Sequence, residues 1–114
     1  MNYNPLQTKM LQEQIDRLNI PERIVLVGTG MFKSSYNGVK ELRYKKINEH
    51  TGMTKAQYES IKDELKRIKF MTKGNALTAY GKQSYRTFRE EWTSYKNFFK
   101  DYSHHQTDDV WTDS

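Results

Sequence analysis

Apolar side chains recur every three or four residues between Pro5 and Leu18, which is the spacing of one face of an α-helix. Asn4 and Pro5 stand where such a helix would have its N-cap and its first position. We therefore predict an amphipathic N-terminal helix that ends near Asn19.

The segment from Pro21 to Phe32 is ambiguous. Pro21 and Glu22 open a helix well, whereas the apolar run 24–27, followed by Gly28 and Gly30, also suits a short strand. We favour a short buried helix here, and we interpret residues 34–38 as a turn.

The next pattern is typical of two short helices joined by a tight turn. After a possible short strand at 39–42, a helix is expected over 43–50, Gly52 supplies a left-handed turn, and Thr54 caps a second helix to about Lys69. Ile47 on the first helix and Met53 at the turn would face the stripe on the second, which consists of Tyr58, Ile61, Leu65 and Ile68. Helices joined in this way cross steeply and leave the opposite face of the second one protruding.

The rest of the chain completes one domain over residues 1–102. Residues 70–78 predict a small hairpin around Lys73-Gly74-Asn75, and residues 79–102 predict a long final helix. Residues 103–114 are polar, acidic and without periodicity, so we expect a disordered tail.

At this point the sequence resembles the winged helix-turn-helix superfamily, including regulators of the MarR and PadR type. The resemblance rests on the glycine turn, the apolar pair Phe70-Met71, and the pattern Leu77-Thr78, Gly81 and Tyr85. It covers about fifty residues and departs from the usual pattern in two places: Lys69 stands where glycine is usual, and the wing is very short. The resemblance implies a mainly α fold with a small β-hairpin wing, with the helix-turn-helix at about 43–69, the wing at about 70–78, and flanking helices at both ends.

Charge agrees with a nucleic-acid partner. Residues 33–82 contain twelve basic and five acidic side chains, whereas all 19 lysines and arginines of the chain precede residue 101. Such a concentration suits a polyanion. A plainly solvated basic surface is the alternative interpretation.

In winged-helix proteins the N-terminal residues of the second helix reach base edges, which makes Lys55, Gln57 and Ser60 the base-reading candidates. Phosphate contacts are expected from residues on the first helix, the second helix and the wing. The full predicted DNA-binding set is Arg43, Lys45, Lys46, Thr54, Lys55, Gln57, Ser60, Lys62, Lys66, Lys73 and Asn75.

The final helix carries aromatic residues at alternating spacings of three and four, which is a heptad seam. The seam could pack on the N-terminal helix through Leu6, Met10, Ile15 and Leu18, could form a dimer, or could combine both. Because the N-terminal helix is too short to cover the whole seam, we predict a homodimer through Trp92, Tyr95, Phe99 and Tyr102.

Several other functions are not supported by the sequence. There are no cysteines, the longest apolar run is too short to span a bilayer, and the N-terminus lacks the features of a signal peptide, so a cytoplasmic protein without membrane association is expected. Gly28-Thr29-Gly30 lacks the rest of a nucleotide-binding motif and is interpreted as a turn or a weak point in a helix. His104 and His105 lack the fixed geometry of metal ligands, His50 is expected to meet helix-terminal carbonyls, and the adjacent acids Asp63-Glu64 and Glu90-Glu91 diverge.

The sequence thus predicts a non-enzymatic protein without cofactor or metal that binds specific double-stranded DNA sequences as a transcriptional regulator. A repressor of the phage or mobile-element type is the first choice. A replication initiator or accessory module, and an inhibitor that docks on an unknown protein partner through its aromatic helix, are the alternatives.

Overall fold

The computed structural model describes residues 5–105, and this part of the chain is helical. Its α-helices are α1 (Pro5–Asp16), α2 (Ile20–Met31), α3 (Leu42–Thr51), α4 (Lys55–Arg67), α5 (Ala79–Phe88) and α6 (Trp92–His105), with a 3₁₀ turn at Arg89–Glu91. The predicted N-cap Asn4 and residues 106–114 of the predicted disordered tail lie outside the described residues. Residues 103–105, which were assigned to that tail, belong to α6.

Helix α2 is the centre of the molecule. Its apolar run 24–27 has no exposed surface, and the helix packs against α3, α4, α5 and α6. A helix that is apolar on every side must be buried. This explains why no polar residues interrupt the apolar run of this segment. The prediction of a short buried helix is confirmed.

The start of α2 is fixed by a capping box. The Glu22 backbone N–H donates to Asn19 Oδ1 at 2.8 Å, and the Asn19 N–H donates to Glu22 Oε1 at 2.9 Å. Two backbone donors that the helix itself cannot satisfy are thereby paired. Burial raises the pKa of Glu22, and this effect outweighs the hydrogen bond from Asn19, which lowers it.

The two glycines of α2 are contact points, not a turn. A Cβ at Gly28 would lie 2.6 Å from Ile47 Cδ1, and one at Gly30 would lie 2.5 Å from Tyr85 Cδ1. Both residues lie within the helix. The absence of side chains at these positions lets α3 and α5 approach α2 closely.

The N-terminal helix joins this core through its last turn. Ile15 and Leu18 are buried, while Met10 is 57% exposed. Arg23 donates to the carbonyls of Leu18 at 2.8 Å and Asp16 at 3.2 Å, and its guanidinium lies 4.3 Å from the centre of the Phe88 ring. Arg23 of α2 therefore connects the end of the N-terminal helix to Phe88 of the aromatic seam, while Ile15 and Leu18 belong to the hydrophobic core.

The predicted β-hairpin wing is wrong, because the described chain contains no strand. Met71 and Leu77 form one isolated bridge. The backbone N–H groups of Phe70 and Met71 both donate to the Leu65 carbonyl of α4, at 2.9 and 3.2 Å. These N–H groups are therefore not available for the hydrogen bonds between two β-strands. Residues 72–76 form a short loop, in which the Thr72 N–H donates to the Ala76 carbonyl at 2.7 Å.

The predicted strand at 39–42 is also wrong. Tyr36 and Val39 pair across a two-residue turn, and α3 begins at Leu42. Asn37 and Gly38 have φ of 48° and 79°, the left-handed values that a tight hairpin turn requires.

The final helix is interrupted where a continuous helix was predicted. A 3₁₀ turn at Arg89–Glu91 separates α5 from α6. Phe88 before this turn and Trp92 and Phe99 after it are all buried in the core.

Thr78 and Gly81 form the junction between the loop and α5. Thr78 Oγ1 accepts from the Gly81 N–H at 3.1 Å and donates to the Lys69 carbonyl at 2.6 Å. A Cβ at Gly81 would lie 2.1 Å from the Phe70 carbonyl oxygen. The Leu-Thr-x-x-Gly pattern thus caps α5 and allows its close contact with the end of α4.

We expect Gly81→Ala to destabilise the protein by about 1–3 kcal/mol, although alanine favours helices, because the new methyl group would meet backbone. Chemical denaturation measures the free energy of unfolding. Gly74→Ala is the control, since a Cβ there meets only Thr72 Oγ1 at 3.8 Å. Equal stabilities of the two variants would contradict this account of Gly81.

We expect Glu22→Gln to be at least as stable as the wild type at pH 7, because glutamine keeps the capping acceptor and carries no charge to desolvate. The pKa of Glu22 is raised above 4.5 in the folded protein, so its favourable contribution is complete below that pH and is lost as pH rises through the folded pKa. Denaturation between pH 3 and pH 8 should show that the glutamine variant loses this part of the pH dependence. A marked loss of stability at pH 7 would refute it.

Candidate nucleic-acid interface

Helices α3 and α4 form the predicted helix-turn-helix. Gly52 ends α3 with φ of 77°, and its N–H donates to the Asn48 carbonyl at 2.8 Å. Met53 is fully buried between the helices, and Thr54 is the N-cap of α4. The glycine turn, the buried plug and the cap are confirmed.

One face of α4 is buried and the opposite face is exposed. Tyr58 and Leu65 are buried, and Ile61 and Ile68 pack partly against the core. The side chains with the most exposure on this helix are Lys55, Ala56, Ser60, Asp63 and Arg67. A second helix with one free face is what a groove-binding helix requires.

The cations of α4 differ in how they are paired: Lys55 at its N-terminal end pairs with Glu41 from outside the helix, whereas Lys62 and Arg67 pair with carboxylates of α4 itself. Near the C-terminal end, Arg67 donates to both carboxylate oxygens of Glu64, at 2.7 and 2.5 Å, and lowers the pKa of that carboxyl. Asp63 is exposed beside this pair. The first turn, where Lys55 is exposed, therefore differs from the last turn, where a bidentate pair and an exposed acid lie together.

Lys55 is exposed on the first turn of α4. Its ammonium forms an ion pair with Glu41 and lies 5.7 Å from the centre of the Tyr44 ring. Both partners of the ion pair are close to half exposed, so the pair contributes little stability and can open. Ser60, the other exposed base-reading candidate, lies one turn further along.

Gln57 has a structural role that was not predicted. Its Oε1 accepts from the Thr54 N–H at 2.9 Å, while the Gln57 N–H donates to Thr54 Oγ1 at 3.2 Å. These bonds are a capping box. Thr54 and Gln57 thus hold the N-terminus of α4, and the Gln57 amide oxygen is occupied in the free protein.

Arg43 is also engaged within the chain. Its Nε donates to the Phe32 carbonyl at 3.0 Å and its Nη1 donates to the Asn75 carbonyl at 2.8 Å. The guanidinium therefore joins the end of α2 to the 72–76 loop. The phosphate contact predicted for Arg43 would have to compete with these bonds.

The remaining predicted contacts differ in exposure. Lys62 has a side chain only 12% exposed, pairs with Glu59 at 3.4 Å and covers the Tyr58 ring at 4.8 Å. Asn75 is half-buried with φ of 67°, and its Oδ1 is buried without a hydrogen-bond partner among the described residues. Lys45, Lys46 and Lys73 are exposed, and Lys66 is half-buried.

These elements surround a cleft of about 250 Å³ between α4 and the two loops that precede α3 and α5. Tyr58 lies at its floor, where burial raises the pKa of the phenol and the nearby Arg43 partly offsets this effect. The cleft is lined by Ser34, Glu41, Arg43, Tyr44, Tyr58, Glu59, Lys62 and Asn75. Sequence reasoning missed Glu41, because only the folded chain places its carboxylate beside Lys55. The pairing of Glu59 with Lys62 was also missed, although a spacing of three residues on one helix signals it.

The predicted dimer residues are mainly inside the chain. Phe99 is 1% and Trp92 is 9% exposed, and Tyr95 is half-buried with its hydroxyl 3.3 Å from Arg23 Nη1. Trp92 packs edge-on against Phe32 and His50, whose rings stack on each other at 5.8 Å. These side chains fill the core instead of forming a free seam, and the Tyr102 side chain lies outside the described ones. His50 packs against aromatic rings, which was not expected.

Within residues 5–105, no group of three or more histidine, cysteine or acidic side chains is arranged to hold a metal ion. No helix in the same part of the chain is long and apolar enough to cross a membrane.

Comparison with known proteins gives one match. The model of the family described as wHTH-PRTase associated matches residues 36–107, a range that begins at the turn before α3 and includes α3, α4, α5 and α6. No curated protein and no solved structure matches the chain.

We expect Gln57→Ala to lower the free energy of unfolding by about 1 kcal/mol, because it removes the acceptor for the Thr54 N–H. Gln57→Glu keeps that acceptor and should retain wild-type stability. Thermal denaturation of the two variants measures the difference. If alanine and glutamate variants unfold alike, the capping role is wrong.

Proposed function

The chain belongs to the wHTH-PRTase associated family, and from this premise we propose that it is a regulator that binds specific sequences of double-stranded DNA through α4. A winged helix-turn-helix domain agrees in general terms with a DNA-binding regulatory role. The description of the family also names PRTase, and a regulatory link to such a protein is the part of the proposal that rests on this name alone.

The observation that carries the proposal is the exposed N-terminal half of α4 beside the exposed lysines of α3. The buried stripe of α4 fixes the helix on the core, and its capping box fixes where it begins. Lys55 and Ser60 are exposed on α4, Lys45 and Lys46 are exposed on α3, and the Glu41–Lys55 pair joins the starts of the two helices. A helix held in this way can enter a major groove while the lysines meet phosphates.

In the proposed complex Lys55 leaves Glu41 and donates to a guanine, whose N7 and O6 are acceptors in the major groove. Breaking an exposed ion pair costs at most about 1 kcal/mol, which the new hydrogen bonds to guanine can offset. Lys45, Lys46, Lys66 and Lys73 contact phosphates. Gln57 acts on DNA binding mainly through the shape of the helix end.

The finer hypothesis is a repressor of the phage or mobile-element type. A repressor needs only to occupy its site and thereby exclude other proteins, and a single helix-turn-helix on a small basic domain suits that task. Binding without catalysis, cofactor or metal is part of the same proposal. Because Trp92 and Phe99 fill the core, the complex does not depend on an aromatic dimer seam.

Selection from a random duplex library tests the proposal directly. The wild-type chain should enrich one short motif and bind it at physiological salt more tightly than bulk DNA. Lys55→Ala should weaken binding to that motif by about 1–3 kcal/mol and relax the preference at one base pair. Lys9→Ala is the control, since Lys9 is exposed on α1, outside the helix-turn-helix.

No enrichment at all would refute sequence-specific binding. Equal affinity of Lys55→Ala and Lys9→Ala for the selected motif would refute the assignment of α4 as the recognition helix. Denaturation of both variants checks that each remains folded.

A further inference from the structure

The segment before α3, residues 33–40, is a small hairpin on the surface, which we call the basic arm. Val39 N–H donates to the Tyr36 carbonyl at 2.9 Å, and Tyr36 N–H donates to the Val39 carbonyl at 3.4 Å. Asn37 and Gly38 occupy the turn with positive φ. At the base, the Leu42 N–H donates to the Ser34 carbonyl at 2.9 Å. The arm is thus short, closed and tied to the start of α3.

The arm is exposed along its whole length, including its large side chains. All residues from 33 to 40 are exposed, with Tyr36 at 54% and Val39 at 40%. Exposed aromatic and β-branched residues in so short a segment are not explained by packing within the chain. Such side chains are typical of a binding surface when they cluster.

The charge of the arm is positive. Lys33 and Lys40 lie within it and no acidic residue does. The Lys33 ammonium lies 5.0 Å from the centre of the Tyr36 ring, so the two side chains form one basic and aromatic patch on the arm. Glu41, the first acidic residue after the arm, is paired with Lys55.

The position of the arm relates it to α4. Ser34 lines the cleft together with Lys62 of α4 and Asn75 of the 72–76 loop. Arg43 binds the carbonyls of Phe32, at the base of the arm, and Asn75, in the loop. The base of the arm and the loop therefore meet at the cleft beside α4.

We propose that the basic arm is a second DNA-binding element, which contacts the sugar-phosphate backbone beside the major-groove site of α4. The inference rests on the function proposed above. The 72–76 loop has no strand ladder to extend it and carries a single lysine, Lys73. The arm lies next to that loop, so it supplies the flanking contact that a longer wing would make.

The contact is electrostatic and does not depend on sequence. Each lysine that neutralises a phosphate releases counterions, so the affinity falls more steeply as the salt concentration rises. Tyr36 adds an uncharged contact to the sugar and phosphate edge through its ring and hydroxyl. The arm therefore raises affinity for the selected site without changing which bases are preferred.

The test uses the full chain and the duplex selected by the wild type, extended by random flanks on both sides. The double variant Lys33→Ala, Lys40→Ala leaves Asn37 and Gly38 in place, so the turn is retained. Lys9→Ala, Lys82→Ala is the matched control, since it removes two exposed lysines from α1 and α5. Circular dichroism and thermal denaturation confirm that both remain folded.

The arm variant should bind about tenfold more weakly at moderate salt, and the slope of log affinity against log salt should fall by about two. Hydroxyl-radical footprinting should show that protection is lost on one flank of the site while the selected motif stays the same. Tyr36→Ala should weaken binding without changing the salt slope. The control should resemble the wild type.

The outcomes separate the two proposals. If the wild type selects a motif but the arm variant matches the control in affinity, slope and footprint, the role of the arm is refuted and the function of α4 stands. If the arm variant alters the selected motif, the arm reads bases and the backbone contact is wrong. If the wild type selects no motif, both proposals are refuted.

Discussion

Burial of α2 on every side is the constraint on which the rest of the structure depends. Four helices use it as a common surface, and two of them reach it only because Gly28 and Gly30 have no side chains. Apolar burial contributes about 25 cal/mol per Å² removed from water, so the fully enclosed run 24–27 is a major source of stability. The helix-turn-helix is stable because α3 and α4 each cover part of this helix, and their outer faces are thereby left free.

Polar bonds then set the details that apolar packing leaves undefined. The capping boxes at Asn19 and Thr54 decide where α2 and α4 begin, and Arg23 satisfies the carbonyls at the end of α1. On the candidate DNA surface, Lys55 pairs with Glu41 across elements and Lys62 pairs with Glu59 within α4, so the free protein presents exchangeable ion pairs instead of uniform positive charge. Such a surface can discriminate between partners, since only a ligand that satisfies both signs gains fully from binding.

Local and periodic signals predicted much of this fold. The helix-turn-helix followed from Gly52, Thr54 and the stripe from Tyr58 to Ile68, because each acts through near neighbours in the sequence. The prediction of a wing was wrong because the backbone N–H groups of Phe70 and Met71 donate to the Leu65 carbonyl, which no strand pattern in the sequence reveals. The structural roles of Gln57 and Arg43 were missed for a similar reason: these polar residues, predicted to meet DNA, also have partners within the fold. The aromatic seam was recognised, but its burial depends on tertiary packing that spacing alone does not define.

The bonds of Arg43 have a mechanical consequence. The planar guanidinium of Arg43 donates to the Phe32 carbonyl at the end of α2 and to the Asn75 carbonyl in the 72–76 loop. These two segments therefore share a rigid connection. Phe32, whose carbonyl accepts from Arg43, stacks its ring on His50 and meets Trp92 edge-on, so a displacement of the loop would reach these rings through one residue. Occupation of the surface would then be felt in the interior as a change in ring environment, which makes the indole of Trp92 a built-in reporter of events at the periphery.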